Sequence, residues 1–117
     1  MTVLRVDAPC GWINSNQRHH RMAVAALTKQ WRQAGHDAAK GTPPICTPVR
    51  VVAHIYKTRA GRYDPNNLWP TVKAILDGVV DAGVIPDDDH HHVIGPDMRH
   101  GGKHPTPHIT LTFQEAP

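Results

Sequence analysis

Two short acidic segments carry the side chains best suited to chemistry. The first is the run Asp64-Pro65-Asn66-Asn67, and the second is Asp87-Asp88-Asp89. Carboxylate oxygens are the hard ligands that Mg²⁺ prefers, and a bound Mg²⁺ activates water and neutralises charge on a phosphate. Three adjacent aspartates also repel one another, so a cation or a basic partner would stabilise them. The pattern indicates metal-assisted hydrolysis of a phosphodiester, and the alternative for the second run is an acidic turn in solvent.

A lysine and a further aspartate lie between the two acidic segments. Lys73 precedes Asp77 by four residues, which places both side chains on one side of a predicted helix. A lysine in this position could stabilise the leaving oxygen of a phosphodiester. Asp77 is open to two interpretations, as a further metal ligand or as a solvated partner of Lys73.

The basic residues give a mild positive excess. Lysine and arginine total 13 against 10 acidic residues, a net charge of +3 with neutral histidines. Such a charge favours a polyanionic partner only where the bases cluster, as they do along one predicted helix face and in two loops. An ordinary solvated helix face is the alternative for the helical stripe. The candidate contacts to DNA phosphates are Arg18, Arg21, Lys29, Arg32, Arg59, Arg62, Arg99 and Lys103.

The elements that must position these residues fit one domain, residues 1–117, around one core. Only 5% of the residues are aromatic, while 11 prolines and 9 glycines predict several fixed turns. We therefore expect an α/β (α+β) fold with a small mixed sheet of about four strands and two main helices. The predicted strands cover residues 3–6, 49–57, 93–94 and 108–114. The predicted helices run from a cap at 14–16 to Ala34, stopped by Gly35, and from 67 to 82, closed by Gly83, with loops at 36–48 and 95–107.

The segments around the second helix resemble the RusA family of Holliday junction resolvases. That family carries Asp-x-Asp-Asn leading into a helix, Lys-x-x-x-Asp within it, and then Gly-Val/Ile-x-x-Asp-Asp before a strand. The corresponding runs here begin at Asp64, Lys73 and Gly83, and the match covers about residues 62–94. In two departures, Asn66 stands where the family has its second aspartate, and Lys73 comes three residues late, a shift of ~4.5 Å along a helix.

The resemblance implies a structure-selective endodeoxyribonuclease that uses Mg²⁺, with Mn²⁺ as the alternative ion. Such an enzyme nicks branched DNA, such as a Holliday junction, during recombination and repair. The implied catalytic residues are Asp64, Lys73 and Asp88. The candidate metal ligands are Asp64, Asn66, Asp77, Asp87, Asp88 and Asp89. The alternative is a catalytically silent protein that binds DNA junctions, because Asn66 replaces an acid.

The length of the second helix predicts a homodimer. A helix over residues 67–82 is ~24 Å long, and the residues between it and Asp88 span at most ~20 Å, so Asp64 and Asp88 of one chain meet only with difficulty. A symmetric dimer would bring the two together from different chains and supply two sites for nicking two strands. A helix shortened at Gly78 is the alternative.

The histidines suggest a third class of function. In an extended segment His90 and His92 point to the same side and could bind a transition metal, while contact with DNA phosphates or with solvent remains open. A histidine-rich protein for metal storage or sensing is therefore a further alternative. The sequence has no apolar run near the ~20 residues that span a bilayer, and it begins without a signal-peptide core. We expect no membrane partner and a cytoplasmic location.

Overall fold

Four strands form one mixed sheet in the computed structural model, which describes residues 1–18 and 20–116. The strands are β1 (Thr2–Asp7), β2 (Val49–Lys57), β3 (Val93–Lys103) and β4 (His108–Glu115). Their order across the sheet is β1-β4-β2-β3. Strand β4 is antiparallel to both of its neighbours, whereas β2 and β3 are parallel and need a crossover connection between them.

Two helices accompany this sheet. They are α1 (Arg21–Ala39) and α2 (Trp69–Asp81), and a 3₁₀ turn at Pro65–Leu68 leads directly into α2. Helix α2 supplies the crossover between β2 and β3. Its proline lies in the first turn, as predicted, where no backbone hydrogen bond is lost. The expected small mixed sheet of four strands with two main helices is confirmed.

The predicted bounds of α1 are wrong at both ends. The helix begins at Arg21 rather than after residues 14–16, and the His20 side chain accepts from the Met22 amide at its start. It also continues through Gly35 to Ala39. His19, which falls in the predicted span, lies outside the described residues.

Gly35 allows a close helix contact instead of ending the helix. A Cβ atom at Gly35 would lie 2.4 Å from the carbonyl oxygen of Ile75 in α2. A Cβ atom at Gly78 would lie 2.1 Å from the carbonyl oxygen of Arg32 in α1. Each helix therefore presents a glycine to the backbone of the other. Helix α2 runs through Gly78 without a break, so the shortened helix is also wrong.

Strand β3 is much longer than predicted. The sequence predicted a strand at 93–94 and a loop at 95–107, but the strand covers Val93–Lys103. Its glycines and Pro96 are unusual in a strand, and they are accommodated because β3 lies at the edge of the sheet. The pairing of β2 with β3 also shifts register twice, between Arg50 and Val52 and between Ile55 and Tyr56.

One cluster of buried side chains joins the helices to the sheet. It includes Trp31 from α1, Ile75 from α2, and Ile55 and Phe113 from the central strands. The predicted apolar face of α2 is confirmed, since Val72, Ile75, Leu76 and Val79 are all buried. Among the described residues, no helix combines the length and apolarity that a membrane crossing requires.

Candidate active site

Lys73 lies between two carboxylates. Its Nζ donates to Oδ1 of Asp77 at 2.7 Å and to Oδ2 of Asp88 at 2.6 Å. Asp77 is one helical turn further along α2, while Asp88 comes from the segment between α2 and β3. Lys73, Asp77 and Asp88 are called the lysine cluster below. The fold thus brings the lysine of the family-like pattern against an aspartate from the second acidic segment.

Contact with each other favours the charged forms of Lys73 and Asp88. Burial alone would lower the pKa of Lys73, but its hydrogen bonds to Asp77 and Asp88 and their charges outweigh that effect and raise it. Burial likewise works to raise the pKa of Asp88, whose side chain is 16% exposed, yet the bond and charge of Lys73 lower it below its usual value. An ammonium therefore faces a carboxylate in a half-buried position.

The three consecutive aspartates have different partners. Asp88 turns to Lys73, whereas exposed Asp87 accepts from the Asp88 amide at 2.7 Å. Asp89 accepts from the His91 amide at 3.2 Å and contacts Nδ1 of His92 at 2.5 Å, and the hydrogen bond from His92 is the main cause of its lowered pKa. Their side chains are therefore not gathered around one position, and Asp88 alone joins the lysine cluster.

Asp64 begins the 3₁₀ turn before α2. Its Oδ1 accepts from the Asn66 amide at 2.9 Å, as a helix-capping side chain does. Asn66 is exposed at this turn. Asp64 and Asn66 are therefore next to each other, as the sequence predicted, but one Asp64 oxygen already has a structural partner.

The candidate metal ligands are divided between Asp64 and the pair Asp77 and Asp88. Within the described ranges, no group of three or more His, Cys, Asp or Glu side chains could hold a metal, so Asp64 does not join Asp77 and Asp88 in such a group. Mg²⁺, however, is commonly bound by one or two carboxylates together with waters and substrate phosphates. The oxygens of Asp77 and Asp88 fit that requirement, although the Lys73 ammonium lies between them.

Two of the arginines predicted to bind DNA are paired within the protein. Arg32 makes a double contact with Asp81 of α2, at 2.6 and 2.8 Å, and hydrogen bonding to Asp81 raises its pKa. Arg99 donates to its neighbour Asp97 at 2.7 Å, which raises its pKa in the same way. Both cations are partly neutralised, so they are weaker candidates for phosphate contact.

The other predicted cations remain exposed. Arg18 and Arg21 precede and begin α1, and Lys29 lies further along it. Lys103 is the neighbour of Lys57 across the β2–β3 pair. Arg59 and Arg62 belong to the loop that follows β2.

Arg59 and Arg62 line a cavity that has a volume of about 430 Å³. It lies between the segment that follows β1 and the loop that follows β2, and is called the loop cavity below. Its lining residues are Ala8, Cys10, Gly11, Trp12, Lys57, Thr58, Arg59, Ala60, Gly61, Arg62, Tyr63 and Pro107. Three of these carry positive charge and none carries negative charge.

A more open cavity of about 680 Å³ continues from the first. It shares Arg62 and Tyr63 with the loop cavity, and it adds Asp64 and asparagines from two segments. The candidate catalytic Asp64 is therefore next to the basic loop. The sequence prediction missed Trp12, Lys57 and Tyr63. Basic and aromatic residues are interleaved from the end of β2 into the loop that follows it, which was a signal for the last two, but Trp12 is distant in sequence.

The three consecutive histidines have different neighbours. The rings of His90 and His91 lie 4.0 Å apart, and His92 contacts Asp89 instead. In the part of the chain that the structure describes, these histidines complete no group of three metal-binding side chains.

Comparison with known proteins leaves the resemblance without independent support. No family model matches the chain. A search of curated proteins gives no significant match. The candidate site therefore has to be judged on its residues and geometry.

Proposed function

We propose that this chain is a Mg²⁺-dependent endodeoxyribonuclease that nicks branched DNA, such as a Holliday junction. The observation that carries the proposal is the 2.6 Å contact between Lys73 Nζ and Asp88. It joins two separate parts of the family-like pattern, and it is accompanied by Asp77 at 2.7 Å from the same nitrogen. A cytoplasmic location is included in the proposal, because the DNA substrate would be met there.

Lys73 would act as a fixed positive charge beside the scissile phosphate. Because its pKa is raised, the amine stays protonated at neutral pH and can donate to a phosphate oxygen or to the leaving oxygen. Its side chain is 43% exposed, so a phosphate can reach it. Asp77 and Asp88 would hold Mg²⁺, which when bound supplies an activated water and further neutralises the phosphate.

The loop cavity would hold the DNA strand near this chemistry. Arg59 and Arg62 offer phosphate contacts, which position a strand without reading its sequence. Asp64 adjoins them but does not join the lysine cluster within one protomer. We therefore retain a homodimer in the proposal, in which Asp64 of one protomer approaches Asp88 of its partner.

The second candidate is a catalytically silent protein that binds DNA junctions. It is favoured by the same lysine cluster, because the ammonium of Lys73 already lies between the two carboxylates that would hold the metal. Asn66 in place of an acid points in the same direction.

Cleavage of a synthetic four-way junction in Mg²⁺ separates the two candidates. We expect the unmodified chain to nick the junction, and Asp88→Asn and Asp64→Asn to bind it without nicking. Asp37→Asn, which alters an exposed aspartate on α1, is the matched control and should cut normally. Binding without nicking by the unmodified chain would favour the silent protein. Sedimentation that shows only a monomer at working concentration would remove the dimer from the proposal.

A further inference from the structure

We propose that the loop cavity holds one unpaired nucleotide of the DNA strand, with its base against Trp12 and Tyr63 and its phosphates against Arg59 and Arg62. This inference rests on the proposed nuclease function and names the form of DNA that the site recognises. A double-stranded segment cannot enter a cavity of this kind, so the base must leave its stack before it binds.

The half-buried apolar part of the cavity lining, called the floor below, includes two aromatic rings. Trp12 and Tyr63 contribute rings, and Ala8, Cys10 and Pro107 contribute small apolar surfaces. Its volume of about 430 Å³ lies in the range of ~300–1,000 Å³ that is typical of small-molecule sites. Aromatic side chains that line a site for single strands stack on bases, and every base offers a face for this. The floor can therefore stack on any of the four bases.

The charged part of the cavity lining is entirely positive. Lys57, Arg59 and Arg62 all contribute to its lining, and no acidic residue does. Arg59 and Arg62 are exposed and make no ion pair among the described residues. A ligand with an apolar body and negative charge at its edge matches this combination, and a nucleotide has both features.

The aromatic floor is held in place before any ligand binds. Trp12 stacks on buried Trp31, with ring centroids 5.4 Å apart. The next residue, Ile13, exchanges two backbone hydrogen bonds with the buried Thr71 hydroxyl, at 2.8 and 2.9 Å. Because Thr71 lies in the first turn of α2, the Trp12 part of the floor is fixed to the helix that carries Lys73 and Asp77.

The Tyr63 part of the floor is fixed to the edge strand. The Tyr63 hydroxyl makes a 2.6 Å hydrogen bond with Nδ1 of His100 in β3. Burial raises the pKa of Tyr63, so the phenol stays neutral. Lys57 Nζ lies 3.9 Å from the centre of the Tyr63 ring, which places a cation beside that ring. A preformed site of this kind loses little freedom when its ligand binds.

Fluorescence anisotropy of short DNAs tests the inference directly. The probes are fluorescein-labelled single-stranded dT12 and a duplex of the same length, without any divalent cation so that no strand is cut. We expect the full chain to bind dT12 more tightly than the duplex. Tyr63→Leu should weaken dT12 binding about tenfold, the loss expected for one base-stacking contact, and change duplex binding much less.

A matched control uses the other tyrosine. Tyr56 is also half-buried but stacks on His108, with centroids 4.3 Å apart, and does not line the cavity. Tyr56→Leu should leave the preference for dT12 unchanged. Arg59→Glu, at an exposed position where misfolding is not expected, should lower dT12 affinity more than duplex affinity.

Three results would overturn the inference. They are equal affinity of the unmodified chain for both DNAs, equal losses for both DNAs in Tyr63→Leu, and an equally large loss of dT12 binding in Tyr56→Leu. Junction nicking in Mg²⁺, measured in parallel, keeps the two proposals apart. Nicking without a preference for dT12 refutes only the nucleotide site, whereas the preference without nicking refutes only the nuclease.

Discussion

Positive charges are used differently in the helices and in the loop that follows β2. On the helices, Arg32 contacts Asp81 twice, and Lys73 contacts both Asp77 and Asp88. In the loop cavity, the cations share their surface with aromatic rings and with no carboxylate. A count of basic residues cannot distinguish these two situations.

The difference separates cations that already have carboxylate partners from cations that share their surface with no carboxylate. A cation that forms two hydrogen bonds to a carboxylate must lose them before it can bind a phosphate equally well. A cation beside an apolar wall gains an interaction when an anion arrives. The loop cavity is therefore the main candidate for DNA binding, and the lysine cluster is the main candidate for chemistry.

Lys73→Met removes the charge proposed to act in chemistry and should have the largest effect. Nicking of a four-way junction in Mg²⁺ should fall about 100- to 1,000-fold, because a preorganised charge beside the reacting group is lost. Junction binding, measured by gel shift, should change little. Lys40→Met, at the exposed end of α1, serves as the control. A similar nicking rate in the Lys73 variant would assign the lysine to structure alone.

Gly78→Ala tests whether the two helices are held as closely as their glycines suggest. The added Cβ would lie 2.1 Å from one α1 backbone atom, so we expect a loss of about 1–3 kcal/mol in the free energy of unfolding, measured in urea. Gly61→Ala adds its Cβ to open space and should change stability little. Alanine is more favourable than glycine in a helix by ~1 kcal/mol, which opposes the expected loss. A Gly78→Ala variant that is more stable would show that the two helices can move apart at little cost in free energy.

The salt dependence of DNA binding should distinguish the two arginines of the loop cavity from Arg32, which is paired with Asp81. Replacing both Arg59 and Arg62 with Ala should reduce the slope of log affinity against log salt by about 1–2, if each contacts one phosphate. Arg32→Ala should leave that slope unchanged. It should lower stability by at most about 1 kcal/mol, because both members of its ion pair are partly exposed. Equal slopes in the two variants would contradict the assignment.

The smallest expected effect is a change in how the free energy of unfolding depends on acidic pH, caused by the lysine cluster. The pKa of Asp88 is lowered in the folded protein, so its contribution to stability is present above about pH 4 and is lost as the pH falls through the folded pKa. The loss in the free energy of unfolding between pH 6 and pH 3 should be smaller in Asp88→Asn than in the unmodified chain. Lys73→Met should reduce the same loss, because it removes the main partner. Unchanged acid sensitivity in both variants would contradict this account.

The sequence predicted the elements whose patterns are local. Strand β2 has the predicted bounds, since apolar residues alternate along it, and the spacing of Lys73 and Asp77 on one helix face is also as expected. The prediction that α1 ends at Gly35 was wrong because a glycine can either end a helix or let another helix approach closely. Only the contact between Gly35 and α2 shows which of the two applies. Strand β3 was missed for a similar reason, because its glycines and proline are tolerated only at a sheet edge.

The candidate site was predictable only in part. The family resemblance singled out Asp88 among three adjacent aspartates, but only the fold shows that Asp88, rather than Asp87 or Asp89, contacts Lys73. The position of Trp12 in the loop cavity depends on its stacking with Trp31 and on the hydrogen bonds of Ile13 to Thr71. These contacts join distant parts of the sequence. No local pattern records such contacts.

The pair of interhelical glycines also constrains which way the lysine can point. If α2 turned about its own axis, a larger side chain would replace Gly78 against the backbone of α1, where a single carbon already cannot fit. Lys73 therefore keeps its direction, and under the proposed function a DNA strand would have to adapt its path to the helix.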